Sequence, residues 1–272
     1  MKSLAGRVAV VTGSGSGIGL GIAQACAAAG MNVVLADLDA ARLDDAAARV
    51  GASGAPGVLT VPTDVRDPAA VSALAQRTVD AFGAVHVLCN NAGVSAIGYQ
   101  WQTPLEDWQW VLGVNLLGVV RGIHAFVPLL LEQDEAHVVN TASMAGLIVS
   151  PGMGAYVASK HAVVGLTKAL RSELAARWPH VGVSVVCPGA VATNLADNVR
   201  TLGRPQDAAR VDALRENLAQ AMDPREVGEI VVDAIRNRVF WVLPNGAPHL
   251  DLLDAELEEL REQARGGATR RR

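Results

Sequence analysis

Short apolar, β-branched runs alternate along the chain with longer alanine-rich stretches in which apolar residues recur at helical spacing. The runs predict strands at residues 8–12, 32–37, 57–62, 85–90, 137–143, 181–188 and 239–243. The stretches predict helices at 18–29, 39–50, 68–82, 106–131, 155–177 and 225–236. Strands that read as unbroken apolar runs are covered on both faces. With helices between them, the right-handed crossover rule leads to a doubly wound parallel sheet of about seven strands, α/β in class, with helices on both faces.

No Pro/Gly/Ser-rich linker, charge block or internal repeat interrupts this rhythm, so residues 1–250 are expected to form one Rossmann-type domain. Two stretches depart from it. Residues 194–223 intrude between the sixth strand and the next helix. There Leu195, Val199, Leu202, Val211, Leu214, Leu218 and Met222 suit one face of one or two helices, and the segment is expected to be a substrate lid. Residues 251–272 predict a short charged helix at 256–263 and a flexible tail ending in Arg270-Arg271-Arg272.

Half of the 272 residues are hydrophobic, enough for a sizeable core. The formal charge of −4 argues against a nucleic-acid partner, which would call for a basic excess. Cys26, Cys89 and Cys187 form no Cys-x-x-Cys pair and sit among apolar neighbours, as buried thiols of a reducing compartment do. The histidines show no ligand spacing, so no catalytic metal is expected. No apolar run reaches the ~18–20 residues of a membrane span, and residues 1–7 lead straight into a strand without signal-peptide character. The expectation is a soluble, cytoplasmic protein without a membrane partner.

After the first strand comes Thr12-Gly13-Ser14-Gly15-Ser16-Gly17-Ile18-Gly19, opening into a helix. Glycines let the chain turn tightly and let a diphosphate approach, while the helix supplies free N–H groups and its positive end. Gly13, Gly17 and Gly19 form the functional set, with Ser16 and Ile18 between them and Gly15 as a permissive loop residue. Asp37 ends the second strand, where an acid accepts hydrogen bonds from an adenosine ribose and repels a 2′-phosphate. No basic residue stands at Ser14, Ser16 or Leu38 to welcome that phosphate, so NAD is preferred over NADP. Asp64 and Val65, after the third strand, are placed at the adenine edge.

Tyr156 and Lys160 are one helical turn apart, so phenol and ammonium share a face. A fixed cation favours the phenolate, lowering a tyrosine pKa from its reference near ~10 towards a range useful for proton transfer.

These residues, with Asn90-Asn91-Ala92-Gly93, Asn115, Ser143 and Pro188-Gly189-x-x-x-Thr193 in order, resemble the short-chain dehydrogenase/reductase superfamily in its single-domain branch. The resemblance covers nearly everything from Arg7 to Thr193 and extends to the last strand. It implies Tyr156 as general acid/base, and Lys160 as the residue that lowers its pKa and holds the nicotinamide ribose. It also implies Ser143 as the holder of the substrate oxygen and Asn115 as the anchor of a relay water behind Lys160. Asn90, Asn91, Ala92 and Gly93 would border the cofactor, Pro188 and Gly189 would begin the loop beside the nicotinamide, and Val191 and Thr193 would contact its carboxamide. A homodimer or homotetramer built on helices 106–131 and 155–177 is implied as well.

Segments after Gly93, at 144–146 and at 151–154, together with 194–223, would rim a mostly apolar substrate pocket, and the first three contain no lysine or arginine. The implied activity is an NAD-dependent dehydrogenase or reductase of an apolar or weakly polar secondary alcohol or ketone. Tyr99, Trp101, Trp108 and Trp110 are assigned to helix docking or a subunit seam, with walling the pocket as the alternative, and His161 to structure. The alternatives are an NADPH-dependent 3-ketoacyl-type reductase, a non-catalytic dinucleotide-binding sensor or scaffold, and an extended-type epimerase or dehydratase. The sensor would be expected to lose Tyr156, Lys160 or Ser143, and all three are present. The epimerase would need a different glycine spacing and a larger C-terminal substrate domain.

Overall fold

The structure, a computed structural model, describes residues 1–203, 205–245 and 250–269. Its seven-stranded parallel sheet runs in the order β3 (Val58–Pro62), β2 (Asn32–Asp37), β1 (Val8–Thr12), β4 (Val87–Asn90), β6 (Ala136–Thr141), β7 (Val181–Val186) and β9 (Trp241–Val242). The chain thus winds outward one way from β1 and then the other, and the reversal falls between β1 and β4. A crevice opens at such a switch point, beyond the carboxyl ends of the strands.

Alternate residues of β1 feed two cores. Ala9 and Val11 pack with Leu20 and Ile22 of α1 (Gly17–Ala28), Leu43 of α2 (Ala40–Ala52) and Ile235 of α8 (Pro224–Asn237). Val8 and Val10 face the other way, towards Leu74 of α3 (Pro68–Phe82), Phe126 of α5 (Leu117–Leu131) and Val163 of α6 (Gly154–Arg177). Both sheet faces are therefore covered, which is why the strands lack a polar stripe.

The helix expected at 106–131 is two helices, α4 (Leu105–Asn115) and α5, broken at Leu116. The cause is tertiary: Asn115, fully buried, turns its amide out of the helix to bond the backbone of Val94. Together α4 and α5 make a 27-residue stretch whose most apolar 18 residues have a mean hydropathy of 1.7, which corrects the expectation that nothing of spanning length occurs. Polar residues such as Arg121 and His124 conceal that length from an eye looking for unbroken runs. Its apolarity is used in packing: Phe126 and Leu130 are fully buried in the core against the sheet, and Val111 is fully buried against Ala96 and Ala155.

Residues 194–223 hold a 3₁₀ turn (Asn194–Asn198), the two-residue strand β8 (Val199–Arg200) and α7 (Pro205–Ala219). β8 pairs in parallel with β5 (Ser95–Ala96), so this segment is stitched to the chain just after β4. The charged helix expected at 256–263 extends over α9 (Leu250–Thr269), and the Arg270-Arg271-Arg272 end of the expected tail lies outside the described residues.

Candidate active site

α2, α3 and α8 each begin with an aspartate, Asp39, Asp67 or Asp223, whose carboxylate accepts first-turn N–H groups. α1 does not. Its N-cap Ser16 makes no side-chain cap bond and no acid stands in its first turn. Its free N–H groups and positive end open instead on a cavity of about 540 Å³ lined by Gly13, Ser16, Gly17 and Ile18. Gly13 has φ +65, a left-handed backbone that favours glycine. This is the donor set a diphosphate requires, so the loop fits a dinucleotide.

The loop is held from behind. Thr12 Oγ1 accepts the N–H groups of Asn91 and Ala92 at 2.9 and 3.1 Å, and Asn91 Nδ2 donates to Thr12 O at 3.1 Å. A Cβ on Gly19 would lie 2.2 Å from Gly13 O, so Gly19 closes the turn rather than facing the cavity. Asp37 at the β2 end is oriented through both oxygens: Oδ2 accepts from Gly15 N at 2.9 Å and Oδ1 from Asp39 N at 3.1 Å.

Asp37, Leu38, Asp64, Val65, Asn91, Ala92, Gly93, Ser143, Tyr156, Lys160, Pro188, Gly189, Val191 and Thr193 line the same cavity. Three expected residues do not: Gly19, Asn90 and Asn115. Asn90 points beneath α5, donating to Asn140 Oδ1 at 2.9 Å against the bare backbone of Gly122. Successive strand residues face opposite ways, so of the adjacent asparagines one serves the core and the other the loop. Asn115 clamps Val94 and Ser159 through its side-chain amide.

At the far end, Ser143 caps the 3₁₀ turn Met144–Gly146, its Oγ accepting from Ala145 N at 3.1 Å. Lys160, buried, donates to Thr141 O at 2.9 Å, with Nζ 5.6 Å from the Tyr156 ring centre. Phenol and ammonium therefore share one wall.

Their titration differs from expectation. Tyr156 keeps part of its surface open to the cavity, yet surrounding protein desolvates the phenol and pushes its pKa above the usual 10, while the Ser143 hydroxyl pulls it back. Burial lowers the Lys160 pKa to about 8. Desolvation penalises both charged forms at once, pushing the phenol up and the ammonium down.

Sequence reasoning missed several lining residues. Arg42 and Arg66 stand at the Asp37 end, tied to Asp39 at 3.2 Å and Asp64 at 2.7 Å. Asn198 and Arg200 wall the other end together with Leu195 and Leu218 of the expected lid and with Trp110. Trp110 thus reaches the cavity, whereas Tyr99 stacks on the exposed Trp101 at 4.9 Å. His161 bonds the Val157 carbonyl of its own helix. A helical period in 205–219 was the one available signal for Leu218; nothing local marks Arg200.

A switch-point crevice with an uncapped glycine turn at one end and Ser, Tyr and Lys at the other defines a nicotinamide-dependent oxidoreductase. The chain belongs to the short chain dehydrogenase family, which it matches over residues 7–202. It is 39% identical over 254 residues to 1-deoxy-11-beta-hydroxypentalenate dehydrogenase of Streptomyces exfoliatus, covering 92% of this chain and 87% of that one. It is 38% identical over 200 residues to a 3-oxoacyl-[acyl-carrier-protein] reductase of Synechocystis sp., covering 73% of this chain and 80% of the relative. Among solved structures, a short chain dehydrogenase/reductase from Burkholderia phymatum in complex with NAD superposes with a TM-score of 0.91 at 40% identity, covering 97% of each chain.

Proposed function

We propose that this enzyme is an NAD-preferring dehydrogenase or carbonyl reductase of an apolar-bodied secondary alcohol or ketone, with Tyr156 as its proton donor and acceptor. One observation carries the reading: a single cavity holds Ser143, Tyr156 and Lys160 at one end and the doubly anchored Asp37 at the other. Bound there, a nicotinamide supplies the hydride acceptor or donor and, when oxidised, a positive charge beside the phenol. Ser143 hydrogen-bonds the substrate oxygen, and Tyr156 passes or takes its proton. Lys160, fixed on Thr141 O, supplies the cation that stabilises the phenolate. The neutral phenol favoured by burial is the acid form that carbonyl reduction uses.

The carboxylate of Asp37 repels a 2′-phosphate, and the nearby Arg42 and Arg66 are each occupied by an acid. A second reading, an NADPH-using 3-ketoacyl-type reductase, draws on those two arginines lining the cavity and on the similar oxoacyl reductase. The hydroxy compound in the name of the Streptomyces relative supports the first. The stitched segment 194–223 serves as the substrate lid. Leu105, Leu117 and Val120 stay exposed on α4 and α5, as a homodimer or homotetramer seam would have them.

Tyr156→Phe tests the assignment in a cofactor-fluorescence screen of alcohols and ketones with NAD(H) and NADP(H). The variant should bind NADH as the parent does and lose roughly 10²–10⁴ in turnover. Full turnover by the variant on a substrate the parent converts refutes the role. Asp37→Ala should erode the preference for NAD at least ~10-fold; a parent that prefers NADP favours the second reading.

A further inference from the structure

We propose that Arg200 recognises a carboxylate at the substrate end of the cavity, so that the substrate is an apolar alcohol or ketone bearing one acid group. The inference rests on the oxidoreductase reading and adds the substrate class to it. It also amends the uncharged substrate expected from sequence.

The substrate end is mostly apolar, with Val94, Val114, Leu195 and Leu218 in its wall beside Asn198, whose amide donates to Asn194 O. Arg200 enters that wall because β8 pairs with β5: Ala96 stands opposite Arg200, and Ile97 N donates to Arg200 O at 2.9 Å. Its guanidinium is then held on two sides. It lies 4.0 Å over the Trp110 ring, and Nη1 donates to Asp107 Oδ1 at 3.1 Å. The Asp107 side chain is 13% exposed and that of Arg200 47%, so the acid is set into the protein while the guanidinium stays open to an incoming group.

Arg66, by contrast, spends Nε and Nη2 on Asp64. Arg200 commits Nη1 alone, and its Nε and Nη2 have no protein acceptor among the described residues. A guanidinium edge of two parallel N–H groups matches a carboxylate in bidentate fashion. An arginine locked by an aromatic face and an acid has already lost the rotamer freedom that recognition would otherwise cost. A latch for 194–223 does not need this side chain, because the backbone pairing of β5 and β8 already makes one.

The test uses the full chain saturated with NAD and a matched pair of probes, decalin-2-carboxylate and decalin-2-carboxamide, with affinities from calorimetry. Turnover of the keto-acid and keto-amide analogues of the same decalin pair is assayed in parallel with NADH as the hydride donor. The parent should bind the carboxylate about 10–100-fold more tightly than the amide, as charge-assisted hydrogen bonds imply. Arg200→Met should abolish that ratio, and Arg200→Lys should keep only part of it, because the charge remains and the fork is lost. Asp107→Asn should keep the ratio. Thermal midpoints verify that each variant folds, and Arg200→Lys carries the test should the methionine variant fail to. Equal binding of acid and amide by the parent, binding of neither, or a ratio that survives Arg200→Met overturns the proposal. Loss of the ratio in Asp107→Asn as complete as in Arg200→Met also overturns it, making the residue a latch. A chain that separates acid from amide yet turns over no alcohol or ketone would instead sink the oxidoreductase reading and leave Arg200 in place.

Discussion

Replacing Asn115 by alanine would remove a clamp at the back of the cavity. Asn115 Oδ1 accepts the Val94 N–H at 2.8 Å, and Nδ2 donates to Val94 O and to Ser159 Oγ, both at 3.0 Å. Alanine strands both peptide groups of Val94. A buried polar group left unpaired costs about 1–3 kcal/mol. Val94 is only half-buried, so the lower part of that range applies to each group, and the total comes to about 2–3 kcal/mol. At roughly 2–4 °C per kcal/mol for a domain near this size, the thermal midpoint should fall by about 5–10 °C. Ser159→Ala breaks one of the three bonds and should cost about 1 kcal/mol or less. Activity should follow. Asn115 Oδ1 and Lys160 Nζ both lie 3.6 Å from where a Gly93 Cβ would sit, so a loosened turn moves directly against the ammonium. Scanning calorimetry of the parent and both variants, beside NADH turnover, provides the measurement. An Asn115→Ala midpoint within 1 °C of the parent, or equal losses in the two variants, would refute this account.

Gly122→Ala would place a Cβ 2.0 Å from Asn90 Oδ1, which belongs to a side chain pinned to Asn140. A stability loss of about 2–3 kcal/mol or more is expected from urea melts, and a change below ~1 kcal/mol would contradict the packing. Acid should weaken the fold through His137, which is fully buried. Ser184 Oγ donates to Val239 O, so His137 Nε2 donates to Ser184 and Nδ1 is left buried without a partner. Burial lowers its pKa to about 3, while the unfolded chain takes up the proton near pH 6.5. The stability is therefore complete above pH 6.5 and is lost as pH falls towards 3, about 2 kcal/mol of it by pH 5. Urea midpoints at pH 7 and 5 measure this; a flat profile, or one that His137→Gln does not flatten, would exclude His137 as the cause.

Much of the architecture was legible because it depends on local order. β1 and β2 span the expected residues, and α3 does too, since Asp67, Pro68 and Gly83 punctuate it without help from elsewhere. Strand ends were overrun by two residues at β6 and β7, where the chain continues past the last ladder partner into the crevice, and β4 begins two residues later than expected. Gly13, Asp37, Ser143, Tyr156 and Lys160 were recognisable because each follows a strand or shares a helical face, and both relations are written in spacing. The break at Leu116 was not, since it exists only where Val94 arrives beside Asn115.

The linear order of residues determined the alternation of strand and helix, the glycine turn, the helical face shared by phenol and ammonium, and the family. The tertiary structure alone decided which of two neighbouring asparagines serves the loop, how burial biases Tyr156 and Lys160, and that Arg200 enters the wall beside Trp110. Periodicity is a property of neighbours along the chain. Desolvation and contact depend on what folding brings together from positions as far apart as Ala96 and Arg200.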